Sequence, residues 1–443
     1  MKLAVWTPLP PSASGVADYA AEQLPGLARR FDLTVVVEEP AACAPLGVPN
    51  VRVARAGEPV ESDLDLYQLG NSAAHAFAYH AALARPGVVL LHDFGLHQLV
   101  LGETVERGDR EAYLREMRRA HGETGTFVGR QIARALGGEL LPALFPLSDR
   151  VLEGSLALVG LTRQVVAPAA LRLRGRPALH LPHHAALPLD ELPSREAARR
   201  ALGLPADAPI VTAPGLVTAA KRLDVLFRAA ARLRPAHPSL RVVVAGGHDG
   251  RAPVAEWARA SGLGDALVLT GRLALSDFVR HVAAADVIAA LRFPSHGEMS
   301  GALVRALAVG RPALVTAGTP AAEEFPEGCV VPVDPGPAEA AHLEALLARL
   351  LGDQALRETI GRLARAHVRR HHALDATVSR LADFLESVHG SREALRAEIG
   401  RRQVAEDTLH ARLRDEARWA ARGLGLPDVP PEVEALIDDL LRR

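Results

Sequence analysis

The sequence predicts an α/β protein made of two doubly wound, parallel-sheet domains facing each other across a cleft, with a helical extension behind them. Three observations carry this expectation. Short apolar runs alternate with amphipathic helical stretches from Lys2 to about Arg369, the pattern of repeated strand–helix units. Most of those runs are apolar at successive rather than alternate positions, as strands covered on both faces must be. Finally, 443 residues with 49% hydrophobic content are too many for one ordinary core and enough to fill two.

Taken in order, the strand candidates of the first half are KLAVW (Lys2–Trp6), LTVVVEE (Leu33–Glu39), DLYQLG (Asp65–Gly70), GVVLLHD (Gly87–Asp93), ALVGL (Ala157–Leu161) and ALHLPHH (Ala178–His184). Those of the second half are APIVTAPG (Ala208–Gly215), RVVVAGG (Arg241–Gly247), ALVLTGR (Ala266–Arg272), DVIAALR (Asp286–Arg292), PALVTA (Pro312–Ala317) and CVVPVD (Cys329–Asp334). Between the halves, residues 187–209 are rich in proline and charge and read as the linker. From residue 391 to 422 charge alternates along a helical pattern with Leu395, Ile399, Val404, Leu409, Leu413 and Trp419 as sparse apolar points. That spacing predicts an exposed or self-associating helix, and with it a homo-oligomer as one expectation.

Composition narrows the function classes. The formal net charge is −1, with 51 basic against 52 acidic side chains, so no global field draws the chain to nucleic acid. Two cysteines, Cys43 and Cys329, are too few for a disulfide framework or a thiolate metal cluster and fit a reducing compartment. The opening MKLAVWTPLPPS passes from a strand into proline without the apolar stretch of a secretion signal, and no apolar run approaches the roughly 18 residues of a membrane span. A cytoplasmic protein is expected. Peripheral contact with the inner face of the membrane stays open through the basic stretch Tyr113–Arg119, which Glu111, Glu116 and Glu123 dilute.

Open parallel sheets bind ligands at the C-terminal ends of their strands, where loops lead into helix N-termini. Four polar loops stand there: PLPPSASGVADY with Gly15, His92 to His97, Leu216 to Arg222, and Phe293 to Glu298. Of the 51 basic residues only Lys2 and Lys221 are lysines, leaving 49 arginines, so Lys221 stands out as a compact cation in a chain that otherwise uses the planar arginine fork. Beside helix N-termini, Lys221 and Arg222 suit a diphosphate. As a cation facing a solvent-filled cleft, Lys221 is expected to matter little to the stability of the ligand-free protein. No G-x-x-x-x-G-K-[ST] loop occurs, and no G-x-G-x-x-G follows the first strand of either half, which disfavours a P-loop ATPase or an NAD dehydrogenase. Glu298, in HGEMSGALVRALAVG (His296–Gly310), reads either as an acid stabilised by a helix dipole or as a ligand contact. His183 and His184 divide between structural and functional readings, with no carboxylate at ligand spacing to make a metal site. His121, His371 and His372 read as structural.

Several of these segments resemble one family. GLVTAAKRLDVLFRAAARL (Gly215–Leu233), TGRLALSDFVRHVAAADVIAALR and HGEMSGALVRALAVGRPALVTAGTPAAEEFP are similar to the donor-side segments of the retaining glycosyltransferases of family 4, the glycosyl transferases group 1. SGVADY, YQLGNSAAHAFAYH, GVVLLHDFGLH and LPHH are similar to the first half of bacterial members with a GEMS-type loop. The resemblance covers roughly residues 1–388. It implies the GT-B fold of two facing Rossmann-like domains, residues 1–190 on the acceptor side and 191–370 binding the nucleotide sugar. Residues 371–390 would form a helix returning to the first domain, and 391–443 a helical extension outside the family. The implied reaction moves a sugar from a nucleotide diphosphate sugar to a hydroxyl acceptor, lipid-linked in one variant, with retention and without metal or other cofactor. Bacterial surface glycan or glycoconjugate synthesis is the implied setting.

Residue by residue, the resemblance implies that Lys221 and Arg222 bind the diphosphate and that Glu298 meets the donor sugar, with the backbone of Met299, Ser300 and Gly301 beside it. Gly15, Gly215 and Arg272 complete the donor set; His92 lies near the reacting carbon, and Asp18, Tyr19 and His97 face the acceptor. One departure stands out. The common motif has two glutamates separated by seven residues, the second gripping ribose, whereas here Arg305 holds the helical place of the second acid with six residues between. Arginine accepts no hydrogen bonds, so Arg305 answers a different donor feature or another group reads the ribose. A sugar-nucleotide epimerase of similar shape and a degenerate subunit binding a partner transferase are the alternatives.

Overall fold

The computed structural model describes residues 1–440 except 13, 137, 189, 190, 249, 251 and 427, and leaves the side chains of 403–408, 410–412, 415, 419, 422 and 423 outside the description. Val404 and Trp419 of the tail pattern therefore lie outside the described side chains. Two parallel sheets organise the rest. The first contains β1 (Lys2–Trp6), β2 (Asp32–Val37), β3 (Arg52–Arg55), β4 (Leu64–Leu69), β5 (Val88–Leu91), β6 (Ala157–Gly160) and β7 (Ala178–His180), in the order β3-β2-β1-β4-β5-β6-β7. The second contains β8 (Ile210–Pro214), β9 (Arg241–Ala245), β10 (Leu267–Leu269), β11 (Val287–Ala290), β12 (Ala313–Thr316) and β13 (Val331–Val333), in the order β10-β9-β8-β11-β12-β13.

The apolar runs became strands because burial on both faces removes their side chains from water: β4, β5, β6 and β8 are buried at every position. β3 has no such run and was not expected. Its residues Arg52, Val53 and Arg55 are exposed at the sheet edge, so nothing in its hydropathy marks it, and it exists by backbone pairing to β2 in the register Thr34↔Arg52.

Two segments differ from the sequence reading. The stretch 187–209 is no bare linker, because it holds the helix Arg195–Ala201, whose Arg199 is 1% exposed. That guanidinium pairs with Asp286 at 2.8 Å and donates to the carbonyls of Ala284, Pro205, Ala206 and Ala208. A buried charge persists only when all of its donors are met, and here that requirement nails the segment to the second domain. The tail is also less free than its charge pattern suggested. One helix runs from Leu374 to Gly423; Val378, Leu381, Leu385 and Val388 and then Leu395 and Ile399 enter the core of the first domain with Leu24, Leu27 and Leu33. A short helix, Pro431–Leu440, packs back on it with Ile437 buried.

Both sheets reverse direction of strand order once, between β1 and β4 and between β8 and β11. At such switch points neighbouring loops diverge and leave a crevice at the strand ends. The loops carrying Gly15, Lys221 and Glu298 all leave strands that flank these reversals.

Candidate active site

The second domain builds an anion pocket from three elements. Gly215 follows β8 with φ +89°, a left-handed conformation that favours glycine, and an added Cβ would lie 3.0 Å from both Lys221 Nζ and Ala302 Cβ. The bare backbone there lets Lys221 lie against the first turn of the helix Gly301–Val309. Ser300 caps that helix, its hydroxyl accepting from the Leu303 amide at 3.3 Å. Unpaired amides at a helix start attract anions.

Lys221 donates to the Pro214 carbonyl, and among the described residues no carboxylate pairs with it. Burial, reinforced by the nearby Arg292 charge, pushes the ammonium down to about 7. The expectation of a solvated, energetically neutral cation is thus corrected: ligand-free Lys221 is a partly desolvated amine that titrates close to neutrality, and a bound anion would favour its charged form. Arg222 is not a second free cation, because its guanidinium is held by the buried Glu339. Arg292, which follows β11, is the cation whose field reaches Lys221, although it too is ion-paired, with Glu298 at 2.6 Å. Its position at the C-terminal end of a central strand was the available signal.

Glu298 accepts from Arg292 Nη1 at 2.6 Å, the Ser295 hydroxyl at 2.9 Å and the His296 amide at 2.7 Å. Burial would raise its carboxyl, but Arg292 and these donors outweigh burial and lower it. An ionised carboxylate with about four acceptor positions retains capacity for sugar hydroxyls. Met299 points into the core at 8% exposure, so only its backbone is available to a ligand. Arg272 reaches over to the Pro11 carbonyl of the opposite domain at 3.5 Å.

The first domain contributes a histidine-rich wall. His92, after β5, is 8% exposed, and burial drives it well below the usual imidazole range, so it is neutral. Its Nε2 lies 3.4 Å from Gln68 Oε1, and Gln68 Nε2 donates to Gln23 at 3.3 Å. An amide oxygen only accepts, so this chain places the ring proton on Nε2 and leaves Nδ1 as an acceptor. Two acceptor-side expectations are corrected. Tyr19 is 1% exposed and packs among His92, His183 and His184 at centroid distances of 4.8, 4.8 and 4.3 Å; it is the floor of the wall. His97 is 0% exposed with both ring nitrogens engaged, by the Phe145 carbonyl at 2.6 Å and the Tyr113 hydroxyl at 2.7 Å. Both sit in apolar helical surroundings that draw them inward. Asp18 is exposed, in the field of Arg305 and Arg272, and Gly15 opens the Gly15–Ala28 helix with nothing within 4 Å of an added Cβ.

The domains meet directly around this site. The amide of Phe94 donates to His296 O at 2.8 Å, the Thr162 hydroxyl to Gly297 O at 2.7 Å, and Gln164 reaches Glu323 at 2.7 Å. Arg305 pairs with Glu22 of the first domain, so it faces the opposite wall, while Ala306, eight residues beyond Glu298, is fully buried. Asp93 was passed over in the sequence. Burial and the neighbouring Glu298 push its carboxyl up to about 7, although it accepts from the Asn71 amide at 2.9 Å.

Residues 194–367 match the family described as glycosyl transferases group 1. That match spans most of the second domain and less than half of the chain. This domain's family has curated relatives of the chain: D-inositol 3-phosphate glycosyltransferase of Kineococcus radiotolerans is 35% identical over 190 residues, 38% of this chain and 42% of that protein. The Mycobacterium marinum protein of the same name is 30% identical over 241 residues, 52% of this chain and 48% of its own length. The chain therefore aligns with less than half of each of these relatives. In fold the likeness is broader. Sucrose-phosphate synthase of Thermosynechococcus elongatus superposes with a TM-score of 0.62 over 88% of this chain and 100% of its own, at 18% identity. HepE of Anabaena in complex with UDP and glucose gives 0.62 over 87% and 100%, at 15% identity. The matched domain and its partner thus form a GT-B fold of two Rossmann-like domains.

Proposed function

We propose that the protein is a retaining glycosyltransferase that moves a sugar from a nucleotide diphosphate sugar to a hydroxyl acceptor. The observation that carries the reading is the pocket formed by Lys221, Arg292 and the start of the Gly301–Val309 helix: two basic side chains, the arginine paired with Glu298 and the lysine with no carboxylate among the described residues, beside a helix N-terminus. Similarity to the D-inositol 3-phosphate glycosyltransferases over part of the chain supports glycosyl transfer. The bond from the anomeric carbon to the diphosphate breaks as the acceptor oxygen bonds to the same face, and the departing phosphate oxygen takes the acceptor proton. Lys221, Arg292 and the helix amides meet the charge that grows on the phosphate. Glu298 accepts from hydroxyls of the donor sugar, and neutral His92 presents its Nδ1 lone pair near the reacting carbon. Closure of the domains excludes water, which would otherwise hydrolyse the donor. No metal is assigned a role.

The acceptor side is read as a surface glycan or glycoconjugate precursor presented at a membrane. Phe127, Leu136, Leu140 and Leu144 are exposed on the first domain beside Arg130 and Arg134, a combination suited to an anionic lipid surface. Among the described residues no helix is long and apolar enough to cross a membrane, and the contact proposed is a peripheral one made from the cytoplasmic side. The test is nucleotide release from a panel of nucleotide sugars with and without hydroxyl acceptors, with product stereochemistry read by NMR. Isomerised donor without nucleotide release would favour an epimerase, and absence of donor binding would leave a subunit role.

A further inference from the structure

One charged bridge crosses between the domains beside the phosphate pocket, and the transfer chemistry leaves it unused. Arg305, on the Gly301–Val309 helix, donates through Nη2 to Glu22 Oε1 on the Gly15–Ala28 helix. The other oxygen of Glu22 accepts from His184 Nε2 at 2.8 Å. The side chains are 15%, 18% and 0% exposed for Arg305, Glu22 and His184. His184 is kept neutral by burial, which outweighs the pull of Glu22, so its ring acts as a fixed donor that aims the carboxylate. His183 beside it lies against the first residue of the opposite helix: a Cβ added at Gly301 would stand 2.9 Å from the His183 ring.

The placement matters because the helix that carries Arg305 also forms the wall of the Lys221 pocket, through Ala302. A charge pair held out of most water is strong at contact and is lost when the domains part. Contact between Glu22 and Arg305 therefore acts, with the Phe94–His296, Thr162–Gly297 and Gln164–Glu323 hydrogen bonds, on where the phosphate pocket stands relative to His92 and the acceptor wall. We propose that Glu22 is a positioning residue of the transfer reaction, acting through Arg305 to hold the Gly301 helix against the first domain when the cleft is closed. The proposal rests on the transferase reading above. Arg305 then serves the domain interface at the helical place where the resembling family carries an acid.

The test compares wild type with Glu22→Gln, Glu22→Arg, Arg305→Glu and the exchanged pair Glu22→Arg/Arg305→Glu. Turnover and donor KM are read by nucleotide release, and compactness by small-angle X-ray scattering with and without nucleoside diphosphate. Each single variant is expected to lose about 10- to 100-fold in kcat/KM, at the lower end for removing one partner of a hydrogen-bonded interfacial charge pair, and to scatter as a larger particle. The exchanged pair is expected to recover several-fold over either charge-reversed single, because opposite charges in contact attract whichever side carries which sign, and to fall short of wild type because an arginine at position 22 cannot accept from His184. Wild-type kcat and KM in Glu22→Gln overturn the proposal. So does an exchanged pair that melts like wild type yet is as slow as the singles. If wild type itself releases no nucleotide, the transferase reading fails while scattering still judges the bridge: equal radii for wild type and Glu22→Gln reject it.

Discussion

Replacing Lys221 by methionine should make the ligand-free protein more stable and the enzyme nearly inactive. The ammonium is driven from its ordinary 10.5 to about 7, by burial first and Arg292 second. That difference corresponds to about 4–5 kcal/mol at about 1.36 kcal/mol per unit, and the side chain keeps some solvent access, so about 2 kcal/mol is the working figure. Because the folded value lies below the unfolded one, the unfolded chain holds more protons between pH 7 and 10.5, and wild-type stability rises with pH through that window. Below pH 7 the folded protein bears the full cost of the buried charge. The gain in Lys221→Met should therefore be about 2 kcal/mol near pH 6.5 and vanish by about pH 10, which thermal melts across that range will read. The same charge should be taken up again on binding. At pH 8 about nine-tenths of the lysine is neutral in the free protein, so binding the tightest of UDP, GDP and ADP should draw in nearly one proton. Calorimetry in two buffers of different ionisation enthalpy counts it, with Lys221→Arg as the control that takes up none there. Transfer should fall by about 10²–10³ in Lys221→Met, with partial rescue by arginine, whose longer planar fork fits a single oxygen less well. A methionine variant that melts below wild type at pH 6.5, or wild-type binding without proton uptake at pH 8, would refute the argument.

Glu298→Gln should stay folded and lose about 100-fold in turnover, since it removes the ionised acceptor and leaves Arg292 unopposed; wild-type transfer would remove Glu298 from the donor site. Asp93 is faced by Glu298, Arg292, His75 and the Asn71 amide, and its carboxyl stands at about 7 against an ordinary 3.8. The folded state thus holds the extra proton, wild-type stability falls as pH rises from about 4 to 7, and Asp93→Asn should flatten that fall in pH-resolved melts. Deleting 404–443 should leave the first-domain core intact, whereas deleting from 391 strips Leu395 and Ile399 from it, a loss of about 3–6 kcal/mol at about 1.5–3 per side chain; melting temperatures and sedimentation of both truncations separate core packing from self-association. Activity should survive EDTA, and a strict need for manganese would overturn the phosphate-binding reading.

Much of the architecture was legible because it depends on local pattern. Twelve of the thirteen strands coincide with apolar runs, since continuous hydropathy is what burial on both faces requires. The exception, β3, is an exposed edge whose pairing partner lies elsewhere in the chain. Lys221, Glu298 and Gly301 could be singled out because strand ends and helix starts are encoded within a few residues of one another. What the chain does not encode locally is which charges meet. Arg222 looked like a phosphate ligand until the fold brought it Glu339, 117 residues away, and Arg305 met Glu22 at a separation of 283. Tyr19 and His97 stand in loops and helix starts suited to a site, yet packing turned them inward. Arg199 hid a buried anchor inside a segment whose composition spoke of solvent. The protonation of Lys221, and with it the chemistry of the pocket, belongs to the same class. Composition supplied the residue, but Coulomb energy and desolvation depend on distance and on the atoms that displace water, and only the folded chain sets those.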